Sequence, residues 1–122
     1  MVKERAQLGI LQYVIILLAL VTALIHINLA FRFPDGPNII FLLNGLGYVG
    51  LVALLYAPFS ALDRYRPWIR WVLMGYTALT IVLWLLIGVG SPFTDTPPSP
   101  IAYIDKAVEV ALLILLWFDQ PR

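Results

Sequence analysis

The sequence predicts an all-α polytopic membrane protein, an antiparallel up-down-up-down bundle of four transmembrane helices joined by short loops. Three observations predict it. Of the 122 residues, 61% are hydrophobic and only 12% charged, whereas a soluble domain is about 45–50% apolar and about 25% charged. Mean hydropathy is +0.90. The apolar residues gather in four runs of about 19–24 residues, each long enough at 1.5 Å per residue to cross a ~30 Å hydrocarbon layer. Runs of this kind are helical because lipid offers no partner to a backbone donor.

The first run covers about 8–31 and is interrupted by Gln12, Tyr13, Thr22, His26 and Asn28. Lys3 and Arg5 give it a basic start, but it is far longer than the roughly 7–15 apolar residues of a cleaved signal peptide. The second covers about 38–57, after Gly36-Pro37 and before Pro58. Ser60-Ala-Leu-Asp63 follows and resembles a capping box, so a short interfacial helical turn is expected there. The third, about 67–89, is opened by Pro67 and stopped by Gly88, Gly90 and Pro92. The fourth, about 100–118, follows Pro97-Pro98-Ser99-Pro100, with Ser99 as the expected N-cap and Pro100 in the first helical position. Pro121 lies beyond it. The expected organisation over residues 1–122 is a single four-helix transmembrane domain with neighbouring helices antiparallel.

Lysine and arginine set the expected orientation. Lys3 and Arg5 precede the first span, and Arg64, Arg66 and Arg70 cluster at the start of the third, while the other two connections hold only Arg32. Both termini and the central connection should therefore be cytoplasmic, with Asp35 and Asp95 outside, in what reads as a prokaryotic cytoplasmic membrane. Aromatic belts agree with this placement: Tyr65, Trp68, Trp71 and Trp117 at the inner face, and Phe31, Phe33, Phe41 and Tyr103 at the outer.

The unusual feature is the fourth run, which carries Asp105, Lys106 and Glu109. An ionisable side chain at the bilayer centre costs roughly 2.5–3.5 kcal/mol on insertion scales, so these three must face protein, water or each other. By helical rise, His26 and Asp105 lie about 7 Å below the outer boundary, Asn44 about 9 Å, and Glu109 about 13 Å. His26 belongs to a stripe of small residues, Ala19, Thr22, Ala23 and Ala30, of the kind that marks a helix–helix contact. Asn44 and Tyr48 share a face with Phe41 and Leu51, beside Gly45, Gly47 and Gly50, where Gly47-x-x-Gly50 would allow close approach. Tyr76, Thr77, Thr80 and Trp84 aim toward the same region. In the cytoplasmic half, only Gln12 is comparable.

His26, Asn44, Tyr48, Asp105, Lys106 and Glu109 are therefore the expected ligand- or proton-binding residues. Each also has a structural reading. His26 can be a packed histidine bonded to a carbonyl or to Asp105, Asn44 interhelical glue, Lys106 a snorkelling cation, and Asp105 a partner of the helix dipole. Glu109 is too deep for a short side chain to reach water, so it needs a partner, a cavity or a proton.

The chain lacks a phosphate-binding glycine loop and any motif for a serine or threonine nucleophile. A single histidine cannot provide bis-histidine haem ligation within one chain. Without cysteine there is no thiol chemistry. A metal held by His26, Asp105 and Glu109 is chemically possible but unsupported by any spacing motif, so no catalytic residue, metal ligand or cofactor is assigned. The net charge of +1 gives no basis for nucleic-acid binding. The expected molecule is a non-enzymatic integral membrane protein in contact with lipid, with an outer-half polar site for a small ligand, ion or proton. The alternative is a structural or accessory subunit, in a homo-oligomer or a larger membrane complex, whose polar cluster only fixes helix packing.

Overall fold

The computed structural model describes residues 8–32, 35–88 and 99–119. Lys3, Arg5, Phe33, Gly90, Pro92, Asp95, Pro97, Pro98 and Pro121 lie outside the described residues. Four α-helices follow in order: α1 (Ile10–Ala30), α2 (Ile39–Tyr56), α3 (Arg66–Ile87) and α4 (Pro100–Phe118). A 3₁₀ turn, Ser60–Tyr65, leads directly into α3, and no strand occurs among the described residues. α1, α2 and the segment Ser60–Ile87 are long and apolar enough to cross a membrane. α4 is 19 residues long and carries three charges within its first ten residues, Asp105, Lys106 and Glu109.

The helix ends follow local chemistry. Asn38 caps α2 by accepting from the Phe41 amide at 3.0 Å, and Ser99 caps α4 by accepting from the Ala102 amide at 3.3 Å. Each side chain thereby satisfies one of the free donors of a first turn. Gly36 adopts φ 110° in the connection from α1 to α2, a conformation open to glycine and costly for residues with a Cβ.

The expected capping box after α2 does not form. Phe59 stands at the cap without a side-chain bond, and Asp63 instead accepts from Arg66 Nε at 2.9 Å. Arg66 is occupied on every side: it also donates to the carbonyls of Leu55 at 2.5 Å and Ala57 at 2.6 Å, and more weakly to those of Leu54 and Phe59, each at 3.2 Å. The carbonyls of Leu54 and Leu55 lie in the last turn of α2, where they have no partner within the helix, while Ala57 is its cap and Phe59 lies beyond it. One guanidinium therefore closes α2 and fixes the tight turn into α3.

α1 packs against α2 and α4, and α3 packs against the same two, so the helices close into a ring with α1 opposite α3 and α2 opposite α4. The stripe of Ala19, Thr22, Ala23, His26 and Ala30 is buried along its whole length. Opposite it, a Cβ on Gly45 would meet the Ala23 carbonyl oxygen at 2.7 Å, so α1 and α2 touch at a glycine. Of the Gly47-x-x-Gly50 pair, Gly47 lies against the Tyr76 ring, whereas Gly50 faces open space. The core contains Ile15 and Ala19 from α1, Val52 and Leu55 from α2, Leu73 from α3, and Leu112 and Leu116 from α4. This layer divides two polar clusters. One lies toward the end formed by Ala30, Ile39, Ile87 and Pro100, termed here the far end, and one at the terminal end.

Candidate functional site

At the far-end cluster, α4 supplies the charges and the other three helices supply the groups that bind them. Asp105 is 2% exposed and Glu109 is 0% exposed. Their one-turn spacing puts both on the inner face of α4. Lys106 stands between them, its Nζ 2.7 Å from Glu109 Oε1 and 3.2 Å from Asp105 Oδ2. The same ammonium lies 5.9 Å from the centre of the Trp84 ring, within range of a cation–π contact.

The other oxygens are also satisfied. Glu109 Oε2 accepts from the Tyr48 hydroxyl at 2.6 Å and is 2.8 Å from Thr80 Oγ1. The two hydroxyl oxygens are 3.1 Å apart, and Thr80 Oγ1 is also 2.8 Å from the Thr77 carbonyl. Asp105 Oδ1 accepts from Thr22 Oγ1 at 2.5 Å. All four carboxylate oxygens therefore have a partner, as buried carboxylates require.

His26 completes the cluster from α1. Its Nδ1 is 2.8 Å from the Thr22 carbonyl oxygen, and its Nε2 is 3.6 Å from Asp105 Oδ2. The Phe41 and Tyr48 rings flank the imidazole with centroids at 6.0 and 6.1 Å. Phe41 is thus half-buried against His26. Atoms of His26, Asp105 and Glu109 lie within 4.8 Å of one another, as a metal site would require. The Lys106 ammonium, 2.7 Å from Glu109 Oε1 and 3.2 Å from Asp105 Oδ2, already supplies positive charge to both carboxylates.

Five of the six expected residues therefore meet: His26, Tyr48, Asp105, Lys106 and Glu109. Asn44 takes part differently. Its backbone carbonyl accepts from the Tyr76 hydroxyl at 2.6 Å, while its own Oδ1 is buried without a hydrogen-bond partner among the described residues. Sequence reasoning placed Thr22 in a packing stripe and did not assign it to the site, although its one-turn spacing from His26 carried the signal. Thr80 was placed near the region only by its helical face.

The terminal end holds a second polar cluster that the sequence analysis reduced to Gln12. Asp119, at the cap of α4, accepts from Gln12 Nε2 at 2.6 Å, from the Tyr56 hydroxyl at 2.7 Å and from Arg70 Nε at 3.2 Å. Arg70 is 8% exposed. One carboxylate thus ties together the terminal ends of all four helices. Arg66 and Arg70, counted as interfacial cations from sequence, are buried here.

The profile of a family of unknown function, DUF7475, matches residues 2–118. The chain belongs to the DUF7475 family. That match extends from the N-terminal segment to the end of α4, so it includes every residue of both clusters except Asp119. No curated protein and no solved structure matches the chain.

Proposed function

We propose that this DUF7475 member is a non-enzymatic integral membrane protein whose far-end cluster binds a single proton on one member of the facing His26–Asp105 pair. The observation that carries this reading is the geometry of one imidazole. A carbonyl oxygen only accepts, so the 2.8 Å contact with the Thr22 carbonyl assigns a hydrogen to His26 Nδ1. In the neutral ring, Nε2 is then a bare acceptor, and it faces Asp105 Oδ2 at 3.6 Å. Two acceptors face one another across that gap unless a proton occupies it, either as imidazolium or as carboxylic acid.

Charge balance supports the same reading. Asp105 and Glu109 contribute two negative charges and Lys106 one positive charge. One further proton brings this buried group to neutrality, the condition favoured at low dielectric.

The chain's orientation belongs to this proposal. With both termini in the cytoplasm, as the lysine and arginine distribution favours, the far end faces outward and the site reads the external side.

The test uses the fact that the chain has one histidine. Nitrogen-15 spectra of the labelled imidazole and carbon-13 spectra of Asp105, recorded across about pH 5–8, should reveal a proton on His26 Nε2 or on the Asp105 carboxyl. Absence of a proton from both Nε2 and the Asp105 carboxyl throughout that range would refute the proposal.

A second reading, in which the cluster only locks helix packing within a larger assembly, is favoured by the complete pairing of the four carboxylate oxygens. It predicts the same tautomer at His26 but no proton acquired there.

A further inference from the structure

The His26–Asp105 pair is close to one end of the bundle and remote from the other. His26 is four residues from the last residue of α1, about 6 Å at the helical rise, and fourteen residues from Gln12, about 21 Å. Below the cluster, Ile15, Val52, Leu55, Leu73, Leu112 and Leu116 converge from all four helices, each at most 5% exposed. The Thr77 hydroxyl, one helical turn from Leu73, donates to the Leu73 carbonyl of its own helix at 2.8 Å. The six side chains of this layer are aliphatic and offer a proton no acceptor. Beyond it, Asp119 closes the terminal end by binding Gln12, Tyr56 and Arg70.

The far end is different. The Lys106 side chain is 12% exposed, against 4% for Asp105 and 0% for Glu109. It is also the longest and most flexible of the three, and such a chain can extend its ammonium toward an interface. The groups facing His26 and Asp105 are Thr22 of α1, Phe41 and Tyr48 of α2, and Lys106 of α4. Thr80 of α3 and Glu109 of α4 follow through the hydrogen-bond network.

We infer that the His26–Asp105 site exchanges protons with the far end only, past Lys106, and is sealed from the terminal end by the apolar layer and the Asp119 clasp. The protein is then a one-sided reader of proton concentration and not a conduit. This inference rests on the proton-binding reading above.

Trp84, beside Lys106, offers a local reporter. The variant carrying Trp68→Phe, Trp71→Phe and Trp117→Phe keeps only that indole, and the three replaced side chains are all exposed. The full chain is reconstituted in proteoliposomes whose orientation is assigned by protease cleavage of a terminal tag, and pH is stepped on one side at a time. Acidification at the far end should shift Trp84 emission, acidification at the terminal end should leave it unchanged, and His26→Gln should lose the response. A response to the terminal-end step overturns the inference, as does silence to both steps while His26 or Asp105 binds a proton in detergent. If the spectra in detergent find no proton on either group, the proton-binding reading itself fails, and the inference with it.

Discussion

The Tyr48 hydroxyl donates to Glu109 Oε2 at 2.6 Å, and this bond crosses the diagonal of the ring from α2 to α4. Both side chains are fully buried. Neither group has water to fall back on, so the bond helps hold the ring closed at mid-depth. Tyr48→Phe removes the donor and leaves Glu109 Oε2 with Thr80 alone. The variant should lose about 1.5–3 kcal/mol, the range for a hydrogen bond to a charged group. Thermal or denaturant unfolding in detergent measures it. A midpoint equal to that of the parent would mean that Thr80 satisfies the carboxylate by itself.

Lys106 pairs with two carboxylates at once, so its loss should be felt more strongly than that of either partner. Lys106→Met removes the ammonium that bridges the buried Asp105 and Glu109 and should cost about 3–5 kcal/mol. Adding Glu109→Gln removes one of those carboxylates and should recover part of the loss. Such non-additivity is expected of groups in one network. A double variant whose destabilisation equals the sum of the two single ones would show that the ammonium and the Glu109 carboxylate are energetically independent.

Much of this arrangement was legible in the sequence because membrane helices obey few rules. Run length marked the helices, and Ser99-Pro100 and Gly36-Pro37 marked two of the boundaries. The cost of burying charge singled out Asp105 and Glu109, and helical spacing pointed His26 inward along the Ala19–Ala30 stripe. What was not legible depends on side-chain reach. Arg66 reads as a cationic end residue, yet its long chain folds back onto the carbonyls of Leu55 and Ala57. Asp63 has capping-box spacing, yet a guanidinium three residues on is the stronger partner for a carboxylate. Asp119 follows the apolar run, and nothing in the sequence shows that four helix ends converge on it.

The contact between α1 and α2 should not tolerate added volume. A Cβ at Gly45 would approach the Ala23 carbonyl oxygen and Ile27 Cγ1, each at 2.7 Å, and the carbonyl cannot turn away without distorting α1. Gly45→Ala should therefore destabilise by about 1–3 kcal/mol, as should Ala23→Leu from the other side. Gly50→Ala, in open space on the same helix, is the control and should be neutral or slightly stabilising because alanine favours helix. Equal midpoints for Gly45→Ala and Gly50→Ala would place the α1–α2 contact elsewhere.

Orientation can be measured on the same cysteine-free background. Asp35 and Arg64 are both exposed, in the connections at opposite ends of the bundle. With the termini cytoplasmic, Asp35→Cys should react with an impermeant thiol reagent added to intact cells, and Arg64→Cys should react only after the membrane is opened. The reverse pattern would invert the protein and make the far end cytoplasmic.

The terminal clasp has its own test, separate from any role of the far-end site. Asp119 accepts from Gln12, Tyr56 and Arg70 together, so Asp119→Ala orphans three donors, among them a guanidinium that is 8% exposed. Leaving that cation buried and unpaired should cost about 3–5 kcal/mol. Asp119→Asn keeps an acceptor for Tyr56 and Gln12 but loses the charge that balances Arg70, so its loss should be intermediate. Arg64→Ala, at an exposed cation six residues before Arg70, should change stability by no more than about 0.5 kcal/mol. The order Arg64→Ala, Asp119→Asn, Asp119→Ala in increasing loss is expected from chemical or thermal unfolding in detergent. If Asp119→Ala falls with the Arg64 control, the four helix ends are held by apolar packing alone, and the seal at the terminal end rests on the leucine layer above it.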